Sequence, residues 1–95
     1  MRLARIHHAA IICSNYEASR RFYAETLGLA VVRQVHRRER GSYKLDLALP
    51  DGSQIELFSF PDPPPRPSYP EARGLRHLAF ATPDLDEAVR ELESK

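Results

Sequence analysis

Apolar and polar positions alternate most strictly in Tyr43–Leu49 and Ser53–Phe60, where Leu45, Leu47 and Leu49 share one side and Ile55 and Leu57 the matching side. A period of two marks strands that bury one face, and the intervening Pro50-Asp51-Gly52 carries hairpin turn chemistry. The pattern also decides the loop length. A two-residue Asp-Gly loop would oppose Leu47 to Glu56 and mix the faces. A three-residue loop opposes Leu49 to Ser53, Leu47 to Ile55, Asp46 to Glu56 and Leu45 to Leu57, and keeps them apart. A slip of one residue moves an entire face, so the three-residue loop is expected, with Gly52 free to take a positive φ.

Around this hairpin the pattern predicts further elements. Ile6–Cys13 is short, largely apolar and bounded by polar residues, and reads as a buried strand. Ser14 and Asn15 are good helix caps, Ala18, Phe22 and Leu27 follow at near-helical spacing, and Gly28 supplies a left-handed stop. Ala30–His36 reads as a strand and Arg37–Ser42 as a charged turn ending near Gly41. Pro61–Gly74 holds six prolines and is expected to be an extended connection, since proline cannot donate to a ladder. Leu75–Ala81 is again strand-like. Asp84 with Glu87 three residues on forms a capping box, and Leu85, Ala88, Val89 and Leu92 recur on one helical face. The predicted order is strand, helix, three strands, proline linker, strand, helix.

The last two elements echo the first two. GLRHLAFATPDLDEAV (Gly74–Val89) laid on RIHHAAIICSNYEAS (Arg5–Ser19) puts His77 on His8, Ala79 on Ala10, Phe80 on Ile11 and Asp84 on Asn15, at an offset of 69 residues. Internal repetition of this kind points to a module used more than once.

Composition narrows the function classes. Ninety-five residues make one domain at most, and 42% hydrophobic content supports a small core. A net charge of +1, from 14 basic and 13 acidic residues, gives no case for nucleic acid or an anionic membrane as partner. The arginines at Arg33 and Arg37–Arg40 read as a solvated turn. Cys13 is the single cysteine and sits in an apolar run, where an inert buried thiol is expected. The longest apolar stretch, Ala9–Cys13, is too short for a membrane span or a signal-peptide core, so a soluble, cytoplasmic protein is expected.

Three residues remain as candidates for chemistry. Strand alternation places His8 with Ala10, and His77 with Ala79 and Ala81, on the side away from the helices; Glu56 lies on the hairpin face opposite Ile55 and Leu57. Two imidazoles and a carboxylate suit Zn²⁺, Ni²⁺, Fe²⁺, Mn²⁺ or Co²⁺ better than Ca²⁺ or Cu⁺. The spacing forms no local ligand motif. The residues by themselves also admit a plain reading, in which both histidines are hydrogen-bonded strand-end residues and Glu56 is a solvated carboxylate. His7, on the helix side, and His36, beside the charged turn, are not candidates.

With these residues in place the chain resembles the vicinal oxygen chelate superfamily, and within it the glyoxalase I-like, lactoylglutathione lyase-related proteins. The segments that carry the resemblance are IHHAAII, RRFYAETLGL, QIELFSF and GLRHLAF. It implies an α+β fold: one βαβββ module (1–60), a proline-rich linker (61–74) and the opening βα of a second module (75–95), a single but incomplete domain. It implies metal ligation by His8, Glu56 and His77, with a divalent cation of unspecified identity as cofactor. The implied activity is a glyoxalase-type lyase or isomerase acting on an α-ketoaldehyde–thiol adduct through a metal-stabilised enediolate, with Glu56 exchanging between ligand and base. A small-molecule substrate and a homodimer are the implied partners.

Two departures accompany the likeness. The counterpart of Glu56 in the second module, at the same spacing from His77, falls past Lys95. Ile12 stands where the glutathione-using members resemble one another in carrying an arginine. A C-terminally truncated, inactive fragment of a longer enzyme and a metal-free drug- or small-molecule-binding module are therefore the alternative expectations.

Overall fold

In the computed structural model, which describes residues 1–95, the chain divides into two compact units, 1–63 and 64–95. The first is built on a four-stranded mixed sheet. Its strands are β1 (His8–Cys13), β2 (Ala30–Arg37), β3 (Ser42–Ala48) and β4 (Gln54–Ser59), in the spatial order β1-β4-β3-β2. Helix α1 (Tyr16–Arg21) and a following wide turn (Phe22–Thr26) connect β1 to β2.

The hairpin register is the one the face pattern demands. Asp46 opposes Glu56, Leu47 opposes Ile55 and Leu45 opposes Leu57. The loop closes through Leu49 N–H to the Ser53 carbonyl at 2.9 Å and Gly52 N–H to the Leu49 carbonyl at 3.0 Å. Gly52 sits at φ +88°, a conformation that costs a residue with a Cβ. Strand β1 then pairs parallel to β4, with Ala10 level with Glu56, so the chain's first and fourth strands are neighbours.

One sheet face is covered and the other open. Cys13, Leu45, Leu47, Ile55 and Leu57 form the core, with Tyr16, Tyr23, Ala24 and Leu29 packed against it from the helical connection. Leu45, Leu47 and Leu57 are fully buried. Burial of each such side chain stabilises the fold by about 1.5–3 kcal/mol. The Cys13 thiol is buried and donates to the Phe58 carbonyl at 3.3 Å, matching the inert thiol expected there.

Of the two capping residues the sequence offers for α1, Ser14 and Asn15, the second makes the bond. Asn15 accepts from Ala18 N–H at 3.1 Å and starts α1. Leu27 N–H reaches back to the Phe22 carbonyl, a π-type bond that widens the last turn before Gly28 reverses the chain. Between β2 and β3 the charged turn winds as a single 3₁₀ turn, Arg38–Arg40.

Two expectations need correction. The first strand begins at His8, not Ile6, because the ladder with β4 begins at the level of Gln54. More consequentially, Leu75–Ala81 forms no strand, and the sheet has four members only. Alternation specifies which face a strand would bury; it does not supply the neighbour whose carbonyls and amides make it a strand. The second unit does contain the predicted helix, α2 (Leu85–Ser94), capped by Asp84, whose carboxylate accepts from Glu87 N–H at 3.0 Å. Asp84 N–H donates to Thr82 Oγ1 at 3.4 Å, not to Glu87, so only half of the expected capping box is made.

Candidate metal centre

The open face of the sheet is built by the same alternation that fills the core. On β1 the exposed positions are His8, Ala10 and Ile12, while Ala9, Ile11 and Cys13 turn inward. Registered pairing brings Gln54, Glu56 and Phe58 of β4 onto that face, and Ala48, Asp46 and Lys44 of β3 beside them. His8 and Glu56 thus meet diagonally across neighbouring strands, with His8 Nε2 3.6 Å from Glu56 Oε2.

That separation fits a shared cation. Two donors each about 2.0–2.2 Å from one metal ion lie roughly 3.3 Å apart along a tetrahedral edge, close to the observed spacing. The donor set, an imidazole nitrogen and a carboxylate oxygen, is of the kind that holds borderline divalent metals. His7 and His8 meet through their Nδ1 atoms at 3.0 Å, with their rings edge to face. A histidine that ligates through Nε2 carries its proton on Nδ1, and His7 is in place to accept it. His7 is exposed and its ring lies against that of His8 rather than on the helix side that alternation suggested, although its carbonyl accepts from Gln54 N–H at 3.0 Å.

His77 lies in the second unit. There it lines a cavity of about 500 Å³ together with Arg66, Glu71, Arg73 and Arg76, among others. No group of three or more His, Cys, Asp and Glu side chains stands in a metal-holding arrangement. The structure therefore brings His8 and Glu56 together and describes His77 in its own, arginine-rich surroundings.

The sequence reading passed over Lys44. Its ammonium lies 3.4 Å from Asp46 Oδ1 and 3.7 Å from Glu56 Oε2, the oxygen that also faces His8. Asp46 Oδ1 is buried and has no hydrogen-bond partner, so the Lys44 contact is charge on charge without donor geometry. Lys44 also reaches over the Phe58 ring, 5.9 Å from its centroid, and Arg40 over Phe60 at 5.2 Å. The signal for Lys44 was present in principle: once the three-residue loop is fixed, Lys44 and Asp46 must share the face of Glu56.

Comparison with known proteins agrees with this architecture. Residues 5–95 match the family described as the Glyoxalase/Bleomycin resistance protein/Dioxygenase superfamily. The chain is similar to YwkD of Bacillus subtilis (strain 168), itself uncharacterized, with 60% identity over 95 residues that span all of this chain and 74% of that protein. Among solved structures it is similar to a glyoxalase family protein from Enterococcus faecalis, at 48% identity and a TM-score of 0.85, covering 95% of this chain and 71% of that one. It is also similar to the trypanothione-dependent glyoxalase I of Leishmania major, at 25% identity and a TM-score of 0.73, covering 97% of this chain and 66% of that one. No helix is long and apolar enough to cross a membrane.

Proposed function

The chain belongs to the Glyoxalase/Bleomycin resistance protein/Dioxygenase superfamily, and from that premise we propose that it is a divalent-metal-dependent glyoxalase-type lyase or isomerase acting on an α-ketoaldehyde–thiol adduct. The observation that carries the reading is the pairing of His8 Nε2 with Glu56 Oε2 on the open sheet face. The likeness to a trypanothione-dependent glyoxalase I supports the substrate class. In this reading His8, Glu56 and His77 are the protein ligands and leave coordination positions open, as catalytic sites require. The bound cation, whether Zn²⁺, Ni²⁺, Co²⁺, Mn²⁺ or Fe²⁺, supplies Lewis-acid withdrawal of negative charge from the substrate's oxygens.

The chain's own contribution is placement and proton movement. Glu56 lies level with Ala10, whose side chain is too small to cover it from the neighbouring strand. Its carboxylate is about one-fifth exposed, accessible to a reacting group yet anchored by its strand. A carboxylate so placed carries a proton between adjacent carbons of an α-hydroxycarbonyl adduct. His7 holds the His8 ring through Nδ1. Two copies of the chain would complete the assembly as a homodimer.

The test is metal analysis of the purified protein alongside a methylglyoxal–thiol adduct assay, with His8→Ala, Glu56→Gln and His77→Ala in parallel. Stoichiometric metal with turnover, both lost in the variants, is the expected result. Tight binding of the adduct without metal or turnover would replace this reading with that of a small-molecule-binding module.

A further inference from the structure

Resting on the metal-site reading above, we infer that Lys44 is a positioning residue that sets the charge of the His8–Glu56 pair, holding the ligand carboxylate in place while opposing the cation it binds. Asp46 and Glu56 are directly opposed on β3 and β4. Like charges in directly opposite positions destabilise a sheet. Lys44, two residues before Asp46 on the same face, stands against both carboxylates, at 3.4 and 3.7 Å. It is held there by Phe58, the residue opposite it in the ladder, over whose ring the ammonium lies. The ammonium and the His8 imidazole address the same Glu56 oxygen, Oε2.

This arrangement has opposite consequences for the empty and the loaded site. Without a cation, Lys44 is the counter-charge that makes the Asp46–Glu56 opposition tolerable. With a cation on Glu56, the same ammonium is a like charge next to the metal. Removing it destabilises the metal-free protein and tightens metal binding. A side chain that served packing alone would lower stability and leave the binding constant where it was.

The experiment is calorimetric titration with Zn²⁺ or Ni²⁺, together with thermal unfolding in chelator and in saturating metal. It compares the wild-type chain with Lys44→Met, Lys44→Arg, Asp46→Asn and Glu56→Gln. Lys44→Met is expected to bind metal about tenfold more tightly, a figure that discounts the bare Coulomb term for partial exposure. It is also expected to melt a few degrees lower in chelator, roughly 2–5 °C, with the deficit shrinking in saturating metal. Lys44→Arg keeps the wild-type affinity. Asp46→Asn weakens binding, because Lys44 then pairs with Glu56 alone; this arm stands even if Lys44→Met fails to fold. Unchanged or weaker metal binding in Lys44→Met, or unchanged binding in Asp46→Asn, overturns the role of Lys44. If Glu56→Gln loses binding in the same series, the ligand assignment survives that outcome. Wild-type binding by Glu56→Gln overturns the ligand assignment and this inference with it.

Discussion

Residues 1–63 and 64–95 carry the same kind of hydrophobic signal and use it differently. In the first unit, alternating apolar residues of β1, β3 and β4 converge on one core, and Leu45, Leu47 and Leu57 lose all contact with water. In the second, Leu75, Leu78 and Phe80 and the helical stripe Leu85, Val89 and Leu92 all remain exposed, between 40% and 69%. Both regions have a capped helix following an apolar, strand-like run that contains a histidine. Only the first has the ladder. The difference shows that a cap and a pattern are local properties, while burial is conferred by a partner strand.

The sharpest way to break the comparison is to truncate one leucine in each unit. Leu47→Ala deletes a fully buried side chain between two paired strands and is expected to cost about 2–5 kcal/mol. Leu92→Ala removes a side chain that is 46% exposed on α2 and is expected to stay within about 0.5 kcal/mol. Urea unfolding followed by circular dichroism measures both. Similar losses in the two variants would mean that Leu92 is covered in solution and that the contrast drawn above is false.

The histidines extend the comparison to chemistry. His8 stands on a paired strand beside Glu56, and its replacement by alanine is expected to weaken divalent-metal binding by at least the 10–100-fold that even outer-shell changes produce. His77 occupies the repeat-equivalent position but sits among arginines, so its contribution can be read separately. Calorimetry on His8→Ala and His77→Ala side by side decides whether the two repeats serve one site. A loss confined to His8→Ala would leave the 1–63 unit as the sole seat of metal binding.

Helix caps give a finer contrast. Asn15→Ala and Asp84→Ala each remove a side-chain acceptor from a first-turn amide, a change worth about 1 kcal/mol to the helix concerned. Because Tyr16 and Tyr23 on the α1 side pack on the core, Asn15→Ala is expected to lower the global unfolding midpoint. Asp84→Ala is expected to reduce helical signal and amide protection in Leu85–Ser94 while the midpoint of the sheet stays put. Coupled loss in both variants would show that α2 unfolds with the sheet.

What the sequence disclosed follows the same division. The hairpin register was legible because a slip of one residue would have set Leu45 and Leu47 against polar positions of the partner strand and taken one apolar pair out of the core. The cap at Asp84 was legible because it acts within three residues, and at α1 the sequence narrowed the cap to Ser14 or Asn15, of which Asn15 makes the bond. The proximity of His8 and Glu56 followed from face assignment, but their diagonal contact needed the parallel pairing of β1 with β4, which no local signal encodes. Leu75–Ala81 has the alternation of a strand but no partner strand in the sheet, and alternation alone does not encode a partner. Lys44 was overlooked for a related reason: as an isolated lysine it reads as solvent-facing, and only the opposition of Asp46 to Glu56 gives it work.

The smallest expected effect lies in the hairpin turn, where a local bond belongs to the ladder unit. Asp51 accepts from the Ser53 hydroxyl at 2.6 Å and from Ser53 N–H at 2.9 Å. These bonds, the hydroxyl first, hold its carboxyl below the ordinary value of 3.8. A folded pKa lower than the unfolded one stabilises the protein above the unfolded value, and that stabilisation is lost as pH falls through the depressed folded value. The turn therefore loosens only at the acid end, below the ordinary carboxylate range. NMR titration of the Asp51 carboxyl is expected to show a midpoint that moves upward in Ser53→Ala, since the hydroxyl is gone while the backbone donor remains. In Leu47→Ala under unfolding conditions the midpoint should return to its ordinary value, because Ser53 N–H faces Asp51 only when the three-residue loop is closed by the Leu49–Ser53 bond. An Asp51 midpoint that ignored Leu47→Ala would show the turn to be as local as the cap at Asp84, and would erase the distinction between the two units at its finest scale.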